Sequence, residues 1–140
     1  MIVALPAYEK SSVPDLSHLR GRESVQVTMV CLGNICRSPM AAAVFAAKAS
    51  RVNKPRIMVD SAGTSRWHEG EGPNPQSKKV WERAGYTYTH VASHFDLDRL
   101  KSSDLVLVMD RSNYQNVIQL TEDEELHKKV HFLRDFDYSI

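Results

Sequence analysis

Cysteine is scarce in this chain: two occur in 140 residues, Cys31 and Cys36, five apart in a single stretch. Two such neighbours cannot form a disulfide framework, and they fit a reducing compartment, so a cytoplasmic location is expected. Charge of one sign is also lacking, with 18 Lys and Arg against 17 Asp and Glu. That balance gives no basic footprint for nucleic acid or a membrane surface, so any anionic partner must be recognised locally. Long hydrophobic runs are absent, and the opening MIVALPAYEK holds an apolar patch too short for a signal-peptide core. The six histidines, His18, His68, His90, His94, His127 and His131, lack the paired spacing of a zinc site. One pair, His90 and His94, lies four apart and is weak as a signal, so no metal is expected.

The length and the 42% hydrophobic content suit a single core, hence one domain. Residues 1–24 mix Pro, Ser, Glu, Lys and Arg without sustained periodicity and read as a mobile or loosely packed extension. The domain is expected over residues 25–140. A β-branched run from Val25 to Val30 predicts a strand, CLGNICRSP a tight loop, and the Ala-rich stretch to about Ser50 a helix. Ser38 followed by Pro39 is a helix-start signal, with the serine as the expected cap. Further strands are predicted at Arg56–Asp60, Leu105–Met109 and Val130–Leu133, with helices opening at Asn74-Pro75 and Ser112. The acidic run Glu122–Glu125 reads as a solvated helix start. Alternating strands and helices predict an α/β fold whose central four-stranded parallel sheet carries helices on both faces. Ligands in such sheets sit at the carboxyl ends of strands, where CLGNICRS falls.

Cys31, five intervening residues, then Arg37 and Ser38 form a pattern suited to holding phosphate against sulfur. A loop between a strand end and a helix N-terminus turns backbone amides inward, and the helix dipole adds partial positive charge. Such a field favours a dianion and, equally, a thiolate, which makes Cys31 the expected nucleophile. Arg37 supplies a planar fork for two phosphoryl oxygens and for the charge that develops in the transition state. Gly33 permits close wrapping around the anion, and Asn34 tolerates the left-handed conformation that such loops require. Ser38 can donate to the sulfur when it leaves. A bare Cys-x5-Arg pattern also occurs by chance with both cysteines as small core residues, but the flanking strand, Ser-Pro and Ala-rich helix argue against that.

The stretch VCLGNICRSPMAAAVF resembles the N-terminal signature of low-molecular-weight protein tyrosine phosphatases, and SAGTSRWHEG, HVASHF and VMDRSN resemble later blocks in the same order. The resemblance spans roughly Val25 to Leu133. It implies hydrolysis of phosphotyrosine in a protein or peptide through a cysteinyl-phosphate intermediate, with inorganic phosphate as product and neither metal nor organic cofactor. The phosphate-binding loop would comprise Leu32, Gly33, Asn34, Ile35, Cys36 and Ser38 beside Cys31 and Arg37. The resemblance further implies a network of Asn34, Ser38, Ser61 and His90, although Ser61 also reads as a turn serine and His90 as a locally satisfied histidine. Leu32 and Trp67 would wall the aryl slot, with a core role for Trp67 as the other reading. Cys36 would trap oxidised Cys31 as a reversible disulfide, or else is a buried thiol.

The family places its leaving-group acid in an Asp-Pro motif after the fourth strand, and no Asp-Pro occurs in these 140 residues. Asp135 and Asp137 match positions just upstream, and Tyr138 stands where Pro usually follows. The match breaks off at Ile140, so the domain is expected to be C-terminally incomplete and to lack the last family helix, with an apolar patch left exposed. Asp15 in VPDL is a poor substitute acid because its Pro precedes it. Smaller departures are Asn74, Gln76 and Ser93, where the family commonly has Asp, Arg and Arg. Two other readings stay open: a phosphotyrosine- or phosphate-binding module with weak turnover for want of the acid, and an arsenate reductase, disfavoured because no cysteine follows Cys36.

Overall fold

The computed structural model describes residues 14–137, and residues 1–13 and 138–140, Tyr138 among them, lie outside the description. Four parallel strands, β1 (Ser24–Cys31), β2 (Arg56–Gly63), β3 (Leu105–Val108) and β4 (Val130–Phe132), form one sheet in the order β2-β1-β3-β4. Five helices connect them: α1 (Arg37–Ala49), α2 (Pro75–Arg83), α3 (Leu97–Ser102), α4 (Arg111–Ile118) and α5 (Glu124–His127).

Strand periodicity divides the core in two, because successive side chains point to opposite faces. Val25, Val27, Met29, Leu105 and Leu107 pack on one face with Ala42 and Phe45 of α1. Val30, Val106, Val108 and Val130 pack on the other with Leu100 of α3, Val117 of α4 and Leu126 of α5. Cover on both sides is why β1 and β3 read as nearly continuous apolar runs rather than alternating ones. In α1, Ala42 and Ala43 are fully buried, and their small side chains let the helix lie close to the strands.

Local signals explain most helix starts. Asn74 Oδ1 accepts from the backbone amides of Gln76 and Ser77 and so caps α2. Asp110 caps α4 in a reciprocal box with Asn113. α3 was not foreseen from the sequence: six residues with two leucines give no readable period, and Asp96 starts the helix by accepting from the Arg99 amide. Ser38 does not cap α1, which begins one residue earlier with Cys36 at the N-cap. Its hydroxyl is engaged at the cysteine instead.

The described part of the expected N-terminal extension, residues 14–24, makes contacts with the domain. Leu16 and Leu19, brought together by a 3-10 turn over Ser17–Leu19, pack against the α1 face of the sheet. Arg22 pairs with Asp104 at 2.9 Å and His18 Nε2 donates to the Asp104 carbonyl at 2.7 Å. Between this segment and the sheet an apolar groove of about 840 Å³ stays open, lined by Leu16, Val25, Phe45, Ile57, Leu107 and Phe136 among others. No helix among the described residues is long and apolar enough to cross a membrane.

Candidate active site

The chain leaves β1, crosses to β2 on one side and returns to β3 on the other. The carboxyl end of β1 therefore lies where the strand order reverses, the usual place for a ligand crevice in an open α/β sheet. Residues 31–37 fill that place. The backbone carbonyls of Cys31, Leu32, Asn34, Ile35 and Cys36 are all engaged outside the loop. They accept from the Thr64, Ser65 and Asn74 amides, the His90 ring and the Ser77 hydroxyl at 2.6–2.9 Å. A trans peptide sets its N–H opposite its C=O, so these outward bonds turn the following amides toward the concave side. Inward-turned amides of this kind are what an anion-binding loop requires.

Cys31 sits on its floor, 3% exposed. Its sulfur accepts from the Asn34 amide at 3.3 Å and shares a hydrogen bond of 3.0 Å with the Ser38 hydroxyl, in which either can donate. Asn34, wholly buried, holds φ at 59°, the left-handed conformation anticipated for it. Its side-chain Nδ2 donates to Ser38 Oγ at 2.8 Å, and its Oδ1 accepts from the Ser93 amide at 2.9 Å. His90 Nε2–H donates to the Asn34 carbonyl at 2.6 Å, leaving Nδ1 to face the Ser61 hydroxyl at a long 3.5 Å. Burial pulls His90 below the ordinary imidazole range, opposed by that bond to Asn34. Asn34, Ser38, Ser61 and His90 thus come together in one cluster.

Arg37 lines the same slot, and its Nη1 donates to Asp110 Oδ2 at 2.8 Å, with both side chains about half exposed. Burial works against the Asp110 carboxylate, but the Asn113 amide and the Arg37 guanidinium outweigh it and hold its pKa below the ordinary carboxylate range. The slot, about 310 Å³, is lined by Cys31, Leu32, Gly33, Ile35, Cys36, Arg37, Trp67 and His68. Trp67 is 76% exposed, which removes the core reading. Cys36 is exposed rather than buried, and both thiols are free. Among these lining residues none carries a carboxyl group.

Four contributors escaped the sequence reading. A Cβ on Gly63 would lie 2.7 Å from the Leu32 carbonyl oxygen, so β2 approaches the loop as only glycine allows. His68 packs over Gly33 and pairs with Glu71 at 3.1 Å. Asp110 and Ser93 reach the loop from distant segments. Sequence signals existed in part, since Gly63 follows Ser61-Ala62 and Asp110 lies in VMDRSN, but neither shows its partner.

The sequence profile described as "Low molecular weight phosphotyrosine protein phosphatase" matches residues 26–140. A low molecular weight protein-tyrosine-phosphatase of Streptomyces coelicolor is 39% identical over 116 residues, covering 82% of this chain and 71% of that protein. A phosphotyrosine protein phosphatase of Schizosaccharomyces pombe is 38% identical, covering 68% of this chain and 62% of its own length. The crystal structure of a protein tyrosine phosphatase from Entamoeba histolytica superposes with a TM-score of 0.75 at 31% identity, covering 80% of this chain and 72% of that one. An arginine phosphatase from Geobacillus stearothermophilus is also similar, with a TM-score of 0.69 at 27% identity, covering 83% and 71%.

Proposed function

The chain belongs to the low molecular weight phosphotyrosine protein phosphatase family, and we propose that it hydrolyses phosphotyrosine through a cysteinyl-phosphate intermediate on Cys31. The observation that carries this reading is the convergence on one sulfur of the Asn34 amide and the Ser38 hydroxyl at the floor of an amide-lined slot. In the first step the Cys31 sulfur attacks phosphorus, an S–P bond forms, and the P–O bond to the aryl group breaks with its electron pair leaving on oxygen. Arg37, with one donor committed to Asp110, offers its remaining face to the equatorial phosphoryl oxygens. In the second step water attacks phosphorus, the S–P bond breaks, and the Ser38 hydroxyl donates to the departing sulfur. Phosphate leaves carrying the protons of the attacking water, and the Cys31 thiolate is regenerated. Two free thiols at one site suit the cytoplasm.

Two details of the slot bear on substrate choice. Leu32, Ile35 and Trp67 give it apolar walls that suit an aryl ring, and no lining carboxylate pairs a guanidinium. This favours phosphotyrosine over the phosphoarginine that the similar arginine phosphatases act on. Among the described residues no carboxyl group lines the slot to protonate the departing phenolate. General acid assistance is worth about 10²- to 10⁴-fold, so these 140 residues should cleave an activated aryl phosphate far better than a phosphotyrosine peptide. Phosphate binding without turnover is the alternative.

The test is hydrolysis of p-nitrophenyl phosphate, a phosphotyrosine peptide and a phosphoarginine peptide by the chain and by Cys31→Ser. Cleavage of the first, slow cleavage of the second, none of the third and loss of all activity in the variant support the proposal. Binding of vanadate with no hydrolysis of any substrate replaces it with the binding-module reading, and preference for phosphoarginine overturns the specificity.

A further inference from the structure

We propose that Arg99, which lies outside the slot, is a positioning residue for the phosphate loop, acting through Ser93 and Asn34 on Cys31; this rests on the catalytic role of Cys31 proposed above. Arg99 is on α3, three-quarters buried, and its guanidinium joins three elements. Nη2 donates to Asp60 Oδ2 at 2.8 Å and to the Ser61 carbonyl at 3.3 Å, both on β2, while Nη1 donates to Ser93 Oγ at 2.8 Å. Asp60 is itself fixed, since its other oxygen accepts from the buried Thr28 hydroxyl of β1 at 2.6 Å. The Ser93 hydroxyl, accepting from Arg99, spends its own proton on the Ser61 carbonyl at 3.2 Å. Ser93 is therefore clamped on both sides of its oxygen.

That clamp has a directional consequence. The Ser93 amide donates to Asn34 Oδ1, which settles the orientation of the Asn34 side chain and sends Nδ2 toward Ser38 Oγ. With one lone pair of Ser38 taken by Asn34, the Ser38 hydroxyl is held 3.0 Å from the Cys31 sulfur, where its proton can bond a thiolate. From Ser93 the bonds run through Asn34 and Ser38 to the sulfur, and Arg99 anchors the far end. A lone ammonium cannot span Asp60, Ser61 and Ser93 as the planar fork does. The sequence carries half of this signal, for the family's frequent arginine at position 93 is a serine here, with Arg99 six residues on.

The experiment measures kcat and KM for p-nitrophenyl phosphate, the rate of Cys31 alkylation by iodoacetate at fixed pH, and the thermal midpoint. The proteins are the wild-type chain, R99A, R99K, S93A and the double variant R99A/S93A. We expect R99A to lower kcat and the alkylation rate together by about 5- to 30-fold with KM changed less than about twofold, the pattern of a displaced catalytic group. R99K restores less than half of the loss. S93A costs about threefold, and the double variant is no worse than R99A, because both act through one chain of bonds. A folded R99A within twofold of wild type in both readouts overturns the proposal, as do losses that multiply in the double variant. Should R99A fail to fold, S93A with wild-type kcat and alkylation rate overturns it alone. A wild-type chain that alkylates at Cys31 yet hydrolyses nothing counts against the proposed function, and the alkylation ratios still decide this inference.

Discussion

At the scale of single residues the site converges on Asn34, whose backbone and side chain together touch Cys31, Ser38, His90 and Ser93. Gly63 sets how near β2 comes to that residue. A Cβ there meets the Leu32 oxygen at 2.7 Å and Asn34 atoms at 3.1 Å, and backbone cannot step aside as a flexible side chain can. Gly63→Ala should therefore destabilise by about 1–3 kcal/mol, the usual range for overpacking, and lower kcat/KM by about 10²-fold, since a small displacement of the nucleophile is that costly. Urea unfolding and steady-state kinetics check both. Full activity with unchanged stability would show that the loop tolerates the shift. Cys31, Gly33, Asn34 and Arg37 were legible in the sequence because they lie within seven consecutive residues. Gly63, Ser93 and Arg99 were not, because, the six positions from Arg99 to Ser93 aside, their contacts span 29 to 59 positions and leave no local pattern.

At the scale of elements, the cradle is held from outside by β2, α2 and the segments that follow them, and from the far side by the N-terminus of α4. Asp110 has two tasks there, capping α4 and pairing with Arg37. Asp110→Asn separates them, since Asn is as good a cap but carries no charge. An exposed ion pair contributes at most about 1 kcal/mol, so phosphate inhibition should weaken by about two- to fivefold while the thermal midpoint stays within about two degrees. A tighter phosphate constant in the variant would mean that Asp110 competes with the ligand for Arg37. Apolar runs made β1 and β3 readable, and Asn74-Pro75 made α2 readable. The start of α1 was misread because a serine ahead of proline looks like a cap, whereas the sulfur recruited its hydroxyl.

At the scale of the whole molecule, two histidines, the buried His90 and the partly buried His131, tie stability to pH. Burial pulls both His90 and His131 below the ordinary imidazole value, each against an opposing backbone hydrogen bond. A depressed imidazole pKa means that the folded state prefers the neutral ring. The stability this adds is complete above the unfolded value near 6.5 and is lost as pH falls through the lower folded values. Asp110, depressed below 3.8, adds a second loss at still lower pH. The urea midpoint should be flat above about pH 7 and decline toward pH 5, and His131→Gln should flatten part of that decline. A midpoint that rises on acidification would reverse the assignment. The open groove beside β1 is the other molecular-scale feature. Leu16 and Leu19 fill part of it, which the sequence did not reveal, because two leucines in a polar stretch do not announce what they cover.

The central claim is that phosphate passes through the sulfur of Cys31, and acid quenching of the chain during turnover of p-nitrophenyl phosphate, followed by mass measurement of the Cys31 peptide, tests it most directly. The account predicts one added phosphoryl group on that peptide, absent from Cys31→Ser and lost on return to neutral pH. Steady hydrolysis with an unmodified Cys31 at every quench time, or a phosphoryl group found on another residue, would contradict it.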